Sequence, residues 1–158
     1  MRKIDALFNE YGESHQNATN KAIHWICVPA IFFSIVGLIA SIPSGPVQSI
    51  FGEGNPYANW ATIVLILVIA YYVPLSIGLT IGMTLFGLLC IVLIRLMASV
   101  GLQVWLVSTV IFVAAWIGQF YGHKLEGKKP SFFKDLQFLL IGPAWLMHFL
   151  YKKAGIPY

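Results

Sequence analysis

The sequence predicts an all-α, polytopic membrane helical bundle. Three observations carry that expectation: long uninterrupted apolar segments, little charge, and lysines and arginines gathered at particular segment ends. Of the 158 residues, 58% are hydrophobic and 10% charged, with a mean hydropathy of +0.78, far from the mix of a soluble domain. We read residues 1–158 as a single integral membrane domain. Hydrocarbon offers the backbone no hydrogen-bonding partner, so a crossing segment closes its own bonds as a helix of about 20 apolar residues.

At the start of the chain, Ile4, Leu7, Phe8 and Tyr11 recur at helical spacing among Arg2, Lys3, Asp5 and Glu10. This pattern predicts an N-terminal amphipathic helix on the membrane surface, ended near Gly12. The polar stretch that follows offers Ser14, Asn17, Thr19 and Asn20 as caps for the first spanning helix. A polar segment before the first apolar run also argues against a cleavable signal peptide. Ala22–Ile42 is the first expected span, kinked early by Pro29. Pro43–Asn59, rich in Gly, Pro, Ser and Asn, reads as an exposed connection.

Trp60–Ile94 is long enough for two helices. A single helix of that length would overshoot the bilayer, so a fold-back is expected near Tyr71, Tyr72 and Pro74, where proline removes a backbone donor and tyrosine favours the interface. Leu102–Tyr121 supplies the last span, giving about four transmembrane helices. Phe132–Tyr151 is interrupted by Gly142 and Pro143, with Lys134 and Asp135 at its start and Lys152 and Lys153 just beyond. It reads as a C-terminal re-entrant or interfacial segment, with a broken helical hairpin preferred. Cys27 and Cys90 fall inside apolar runs and read as small buried hydrophobes rather than a disulfide.

Arg2, Lys3 and Lys21 precede the first span, Lys124, Lys128, Lys129 and Lys134 follow the fourth, and the 42–59 connection carries no basic residue. Arg95 is the exception. The positive-inside rule then makes the N-terminus cytoplasmic, in a bacterial inner membrane or, in a eukaryote, the endoplasmic reticulum. Anionic headgroups account for the net charge of +4 without a nucleic acid partner. Oligomeric state is not legible.

The four histidines carry the chemistry. His15 and His24 bracket the entrance to the first span, His123 ends the fourth, and His148 lies in the last apolar segment. On this topology all four face one layer. Neutral imidazole is the commonest ligand of iron, zinc and copper, so the convergence predicts a metal site. Asn17, Asn20 and His24 share one helical face, and Gln119, His123 and Glu126 form a second stripe. In that stripe Glu126 reads as a ligand or as a partner that fixes a histidine tautomer.

These residues also carry a family resemblance. Tyr11, His15, Asn17, Asn20, His24 and Pro29, followed by Gln119, Phe120, Gly122, His123, Glu126, Pro130 and Pro143, resemble the 2-hydroxy fatty acid dioxygenases, a family long catalogued as a membrane domain of unknown function. The resemblance covers nearly the whole chain. It implies an Fe(II)-dependent enzyme of fatty acid α-oxidation that takes a 2-hydroxy fatty acid and dioxygen, in membrane lipid, to CO2 and the acid one carbon shorter. His15, His24 and His123 transfer most directly as catalytic residues and metal ligands. His148, and Glu126 at one residue less from His123 than in the fungal pattern, transfer less directly as further ligands. Asn17, Asn20, Gln119, Glu126 and Lys124 are the expected supporting or substrate-facing groups, with Lys21, Lys128 and Lys129 also near the carboxylate. The alternatives are a haem-binding electron carrier and a lipid-binding membrane protein without catalytic activity.

Overall fold

The computed structural model describes residues 2–127 and 132–158, and within 132–137 the backbone alone. Among the described residues it contains seven helices and no strand: α1 (Lys3–Glu13), α2 (Ala18–Ala40), α3 (Gly45–Phe51), α4 (Trp60–Tyr72), α5 (Ile77–Ser99), α6 (Val104–Glu126) and α7 (Phe132–Ala154). The 23-residue helices α2, α5 and α6 are long and apolar enough to cross a membrane. At about 1.5 Å per residue each measures roughly 35 Å.

The long apolar run does fold back at Pro74, but into unequal halves. The helix α4 has 13 residues, about 20 Å of length, short of a hydrocarbon core of about 30 Å. Three candidate spans plus this shorter helix therefore stand where four full spans were expected. The cause is the position of the break. Chain reversal at 73–76 leaves few apolar residues before it and many after.

The most extensive contact among the described helices is between α2 and α6. Gly37 meets Ser108, Gly118 meets Cys27 and Gly122 meets Asn20, each so closely that a Cβ on the glycine would press into its partner. Positions rise along α2 as they fall along α6, so the pair is antiparallel. Small residues let helix backbones approach where lipid gives no hydrophobic drive for helices to associate. The end of α2 that begins at Asn17 thus meets the end of α6 that carries His123 and Glu126.

At this end lie α1 and α7. The apolar face of α1 is Ile4, Leu7, Phe8 and Tyr11, as its spacing predicts, but all four are buried in the protein core. The helix packs on α7 and does not lay that face in lipid. Helix α7 is likewise continuous through Gly142 and Pro143, where a broken hairpin was expected. A proline costs a helix one hydrogen bond and often a kink, and here Ile141, Ala144, Trp145 and Leu146 are buried around it, so packing outweighs that loss. Tyr72 is fully buried, its hydroxyl donating to the Leu140 carbonyl, rather than standing at the headgroups. Tyr151 donates to the Gly78 carbonyl at 2.8 Å. At the opposite end, Arg95 lies 4.8 Å over the Tyr57 ring, which gives the one basic residue outside the charge pattern an aromatic partner.

Gly37→Ala should lower the melting temperature of the detergent-purified protein by several degrees, since overpacking costs about 1–3 kcal/mol. Adding Ser108→Gly should recover most of the loss. Equal melting of the single and double variants would show that this contact does not set the helix spacing.

Candidate metal centre

His15 sits in the turn after α1, His24 in the second turn of α2, and His123 in the last turn of α6. The antiparallel pairing of α2 with α6 brings them together, with one ligand nitrogen from each lying within 4.8 Å of the others. The ring centroids of His15 and His24 are 4.2 Å apart, with His123 at 5.4 and 5.1 Å. His15 and His24 are each 1% exposed.

The backbone fixes both buried rings by the same device. His15 Nδ1 lies 2.6 Å from the Tyr11 carbonyl, and His24 Nδ1 lies 2.9 Å from the Asn20 carbonyl, each four residues earlier. A carbonyl oxygen only accepts, so each Nδ1 carries the hydrogen and each Nε2 is a bare lone pair. Both Nε2 atoms are buried without a hydrogen-bond partner. Leaving one such group unsatisfied costs about 1–3 kcal/mol, and two of them in one three-histidine cluster suit an electrophile that all three can share. A first-row ion binds imidazole at about 2.0–2.1 Å, so its ligand nitrogens in a tetrahedral site lie about 3.4 Å from each other. From a spread of up to 4.8 Å, the cluster meets this by contracting about an ångström, within the reach of side-chain rotation. Burial pushes the His15 pKa down to about 4, which keeps its lone pair free at neutral pH.

Glu126 is engaged elsewhere. Its Oε1 accepts from the Gln16 backbone N–H at 2.8 Å, and its Oε2 from the Asn17 N–H at 2.9 Å and the Asn20 side-chain amide at 3.0 Å. One carboxylate thus ties the His15-bearing turn and the start of α2 to the helix carrying His123. Asn17 caps α2 by accepting from the Thr19 and Asn20 N–H groups. Asn20 links the set: its amide reaches Glu126 and Ser14, and its carbonyl holds His24. Gly122 is the residue whose missing Cβ makes room for the Asn20 side chain.

Gln119 is buried on α6 one turn before His123, and Lys124 is exposed. His148 does not join the cluster. Its ring lies against Phe8 at 4.9 Å, Tyr158 at 4.7 Å and Phe149 at 5.3 Å. Lys128, Lys129 and Pro130 lie outside the described residues, as do the side chains of Lys134 and Asp135. Sequence reasoning did not give Trp145, 5.6 Å from His15, a role. Nor did it see that Tyr11, stacked on His15 at 4.1 Å and 12°, also supplies the carbonyl that sets its tautomer.

Two outcomes follow from this geometry. Glu126→Ala should weaken Co(II) binding, followed by its visible absorption, about 10–100-fold, with the protein still folded; unchanged affinity would remove Glu126 from the support of the site. In metal-free protein, His15 has a folded pKa near 4 against about 6.5 unfolded. The unfolded chain therefore binds the extra proton, and stability should fall as pH drops from about 6.5 towards 4, by an amount on the order of 2–3 kcal/mol. The pH dependence of thermal melts across that range should become shallower in His15→Gln; an unchanged slope would remove His15 as a contributor.

Compared with known proteins, residues 1–154 match the family model described as 2-hydroxy-palmitic acid dioxygenase Mpo1-like. No curated protein and no solved structure matches the chain. On a match over almost its full length, the chain belongs to the Mpo1-like family.

Proposed function

We propose that this protein is an Fe(II)-dependent dioxygenase of fatty acid α-oxidation, converting a 2-hydroxy fatty acid to CO2 and the acid one carbon shorter. The observation that carries the reading is the pair of buried, unpartnered Nε2 atoms of His15 and His24 beside His123, in a chain of this family. The reaction balances without a reductant. A 2-hydroxy acid and dioxygen give the shortened acid, CO2 and water, with the four electrons that reduce dioxygen coming from the two carbons at the acid end.

In this reading His15, His24 and His123 hold the ion as neutral imidazoles, and Asn17, Asn20 and Glu126 hold those imidazoles in place. Bound Fe(II) supplies coordination positions where the hydroxy acid and dioxygen meet. Burial of His15 and His24 keeps bulk water from the centre. Lys21, half-buried beside His15, balances the substrate carboxylate, and the acyl chain extends towards the apolar helices and the lipid. With the N-terminus cytoplasmic, this face opens on the cytoplasmic leaflet, where the positive-inside rule places its lysines.

Anaerobic reconstitution with Fe(II), followed by dioxygen and 2-hydroxyhexadecanoate, should release one CO2 per pentadecanoate formed, read by mass spectrometry. His24→Ala and His123→Ala should each lose at least about a hundredfold in turnover. Full activity in both variants would overturn the assignment.

A further inference from the structure

An open groove runs between α1 and α7 and ends at the histidine centre, since His15 itself lines its inner end. Its volume of about 570 Å³ suits a small-molecule site. Asp5 to Gly12 along α1 corresponds to about 10 Å of helix, and His148, Trp145 and then His15 follow one another along it. Phe8 and Trp145 supply apolar walls, and Lys152 and Lys21 stand at its two ends.

Its chemistry points to an anion with an apolar tail. His148 is 8% exposed, lines the groove, and has a buried Nδ1 without any partner. The other buried rings of this face donate Nδ1–H to a carbonyl four residues back, whereas this ring nitrogen, buried in the groove wall, has no such acceptor. Burial, with Lys152 adding to it, pushes the His148 pKa down, which leaves a neutral imidazole beside a cation. Two acids also stand on the walls. Asp5 is held by Arg2 through two contacts of 2.9 Å, and Glu13 is exposed.

We propose that the groove is a docking subsite for a long-chain 2-hydroxy acid, whose carboxylate is captured at His148 and Lys152 before it advances past Trp145 to His15. The inference rests on the dioxygenase reading for the identity of the acid, and it adds a positioning role for His148 and Lys152 that needs no metal. Gly12, whose added Cβ would stand 3.9 Å from Trp145 Nε1, is the point at which the groove can be plugged without removing a polar group.

The test measures 2-hydroxyhexadecanoate binding to iron-free full-length protein by tryptophan fluorescence, and steady-state kinetics on the iron-loaded protein. Lys152→Met, His148→Phe and Gly12→Leu should each weaken binding and raise KM about tenfold, with kcat falling less than twofold. His24→Ala should still bind the acid while losing turnover. Unchanged binding and KM in both Lys152→Met and Gly12→Leu, which keep the buried histidine, would overturn the subsite. Binding of lysophosphatidylglycerol, read by the same tryptophan fluorescence, without any binding of the acid would overturn it too, making the groove a lipid-headgroup site. If the wild type binds the acid through these residues but never shortens it, the dioxygenase reading falls and the groove stands. If it shortens the acid with groove variants unaffected, the reverse holds.

Discussion

The close antiparallel packing of α2 against α6 is the constraint on which the site depends. His24 and His123 lie about a hundred residues apart in sequence and meet because Gly118 and Gly122 let the helices approach at Cys27 and Asn20. In lipid, apolar side chains gain little by leaving one apolar neighbour for another, so helix pairs are selected by shape and by interhelical hydrogen bonds. Both appear here at the same end. The glycines set the distance, and the Glu126 contacts to Gln16, Asn17 and Asn20 set the register. Without that register, His15 would hang on a turn with nothing to aim it.

The polar groups that hold this site were expensive to bury and are almost all accounted for. Asn20 alone contacts Glu126, Ser14, Asn17 and His24 through its backbone N–H, its backbone carbonyl and its side-chain amide nitrogen. Such a network rigidifies when complete and costs stability when it is not. The exceptions are informative for that reason. Among the described residues the atoms left over are His15 Nε2 and His24 Nε2 in the histidine cluster, Asn20 Oδ1 beside it, His148 Nδ1 in the groove, and Ser108 Oγ and Trp116 Nε1 on α6. Strain of this kind persists where function uses it.

Much of this was legible in the sequence because hydropathy and spacing are local. The amphipathic residues of α1, a cap for α2 among Ser14, Asn17, Thr19 and Asn20, the fold-back at Pro74 and a convergence of histidines, four expected and three found together, all follow from spacing, span length and charge asymmetry. What escaped was decided by partners. The period of α1 marks an apolar face but not whether lipid or α7 covers it, and the Gly142–Pro143 pair signals a break that surrounding packing overrides. Glu126 could be read as ligand or support, since spacing alone places a carboxylate near a histidine and does not reveal that two backbone N–H groups from the α1–α2 turn already claim it. On the expected topology with a re-entrant tail, His148 shared a face with the other histidines. Only three dimensions separate a residue on that face from a residue in the cluster.

The placement of α1 then takes on a purpose beyond membrane attachment. Its apolar face is spent on α7, while its C-terminal end supplies the Tyr11 carbonyl and the turn bearing His15. A helix anchored only in lipid could slide and tilt in the interface, and His15 would move with it. A helix seated on protein, with its N-terminus tied through Arg2 to Tyr158 and Asp5, holds that turn to the precision a three-ligand site requires. The same seating forms the groove, whose walls are residues of α1 and α7. One packing decision at the N-terminus thus positions a histidine and opens the way to it.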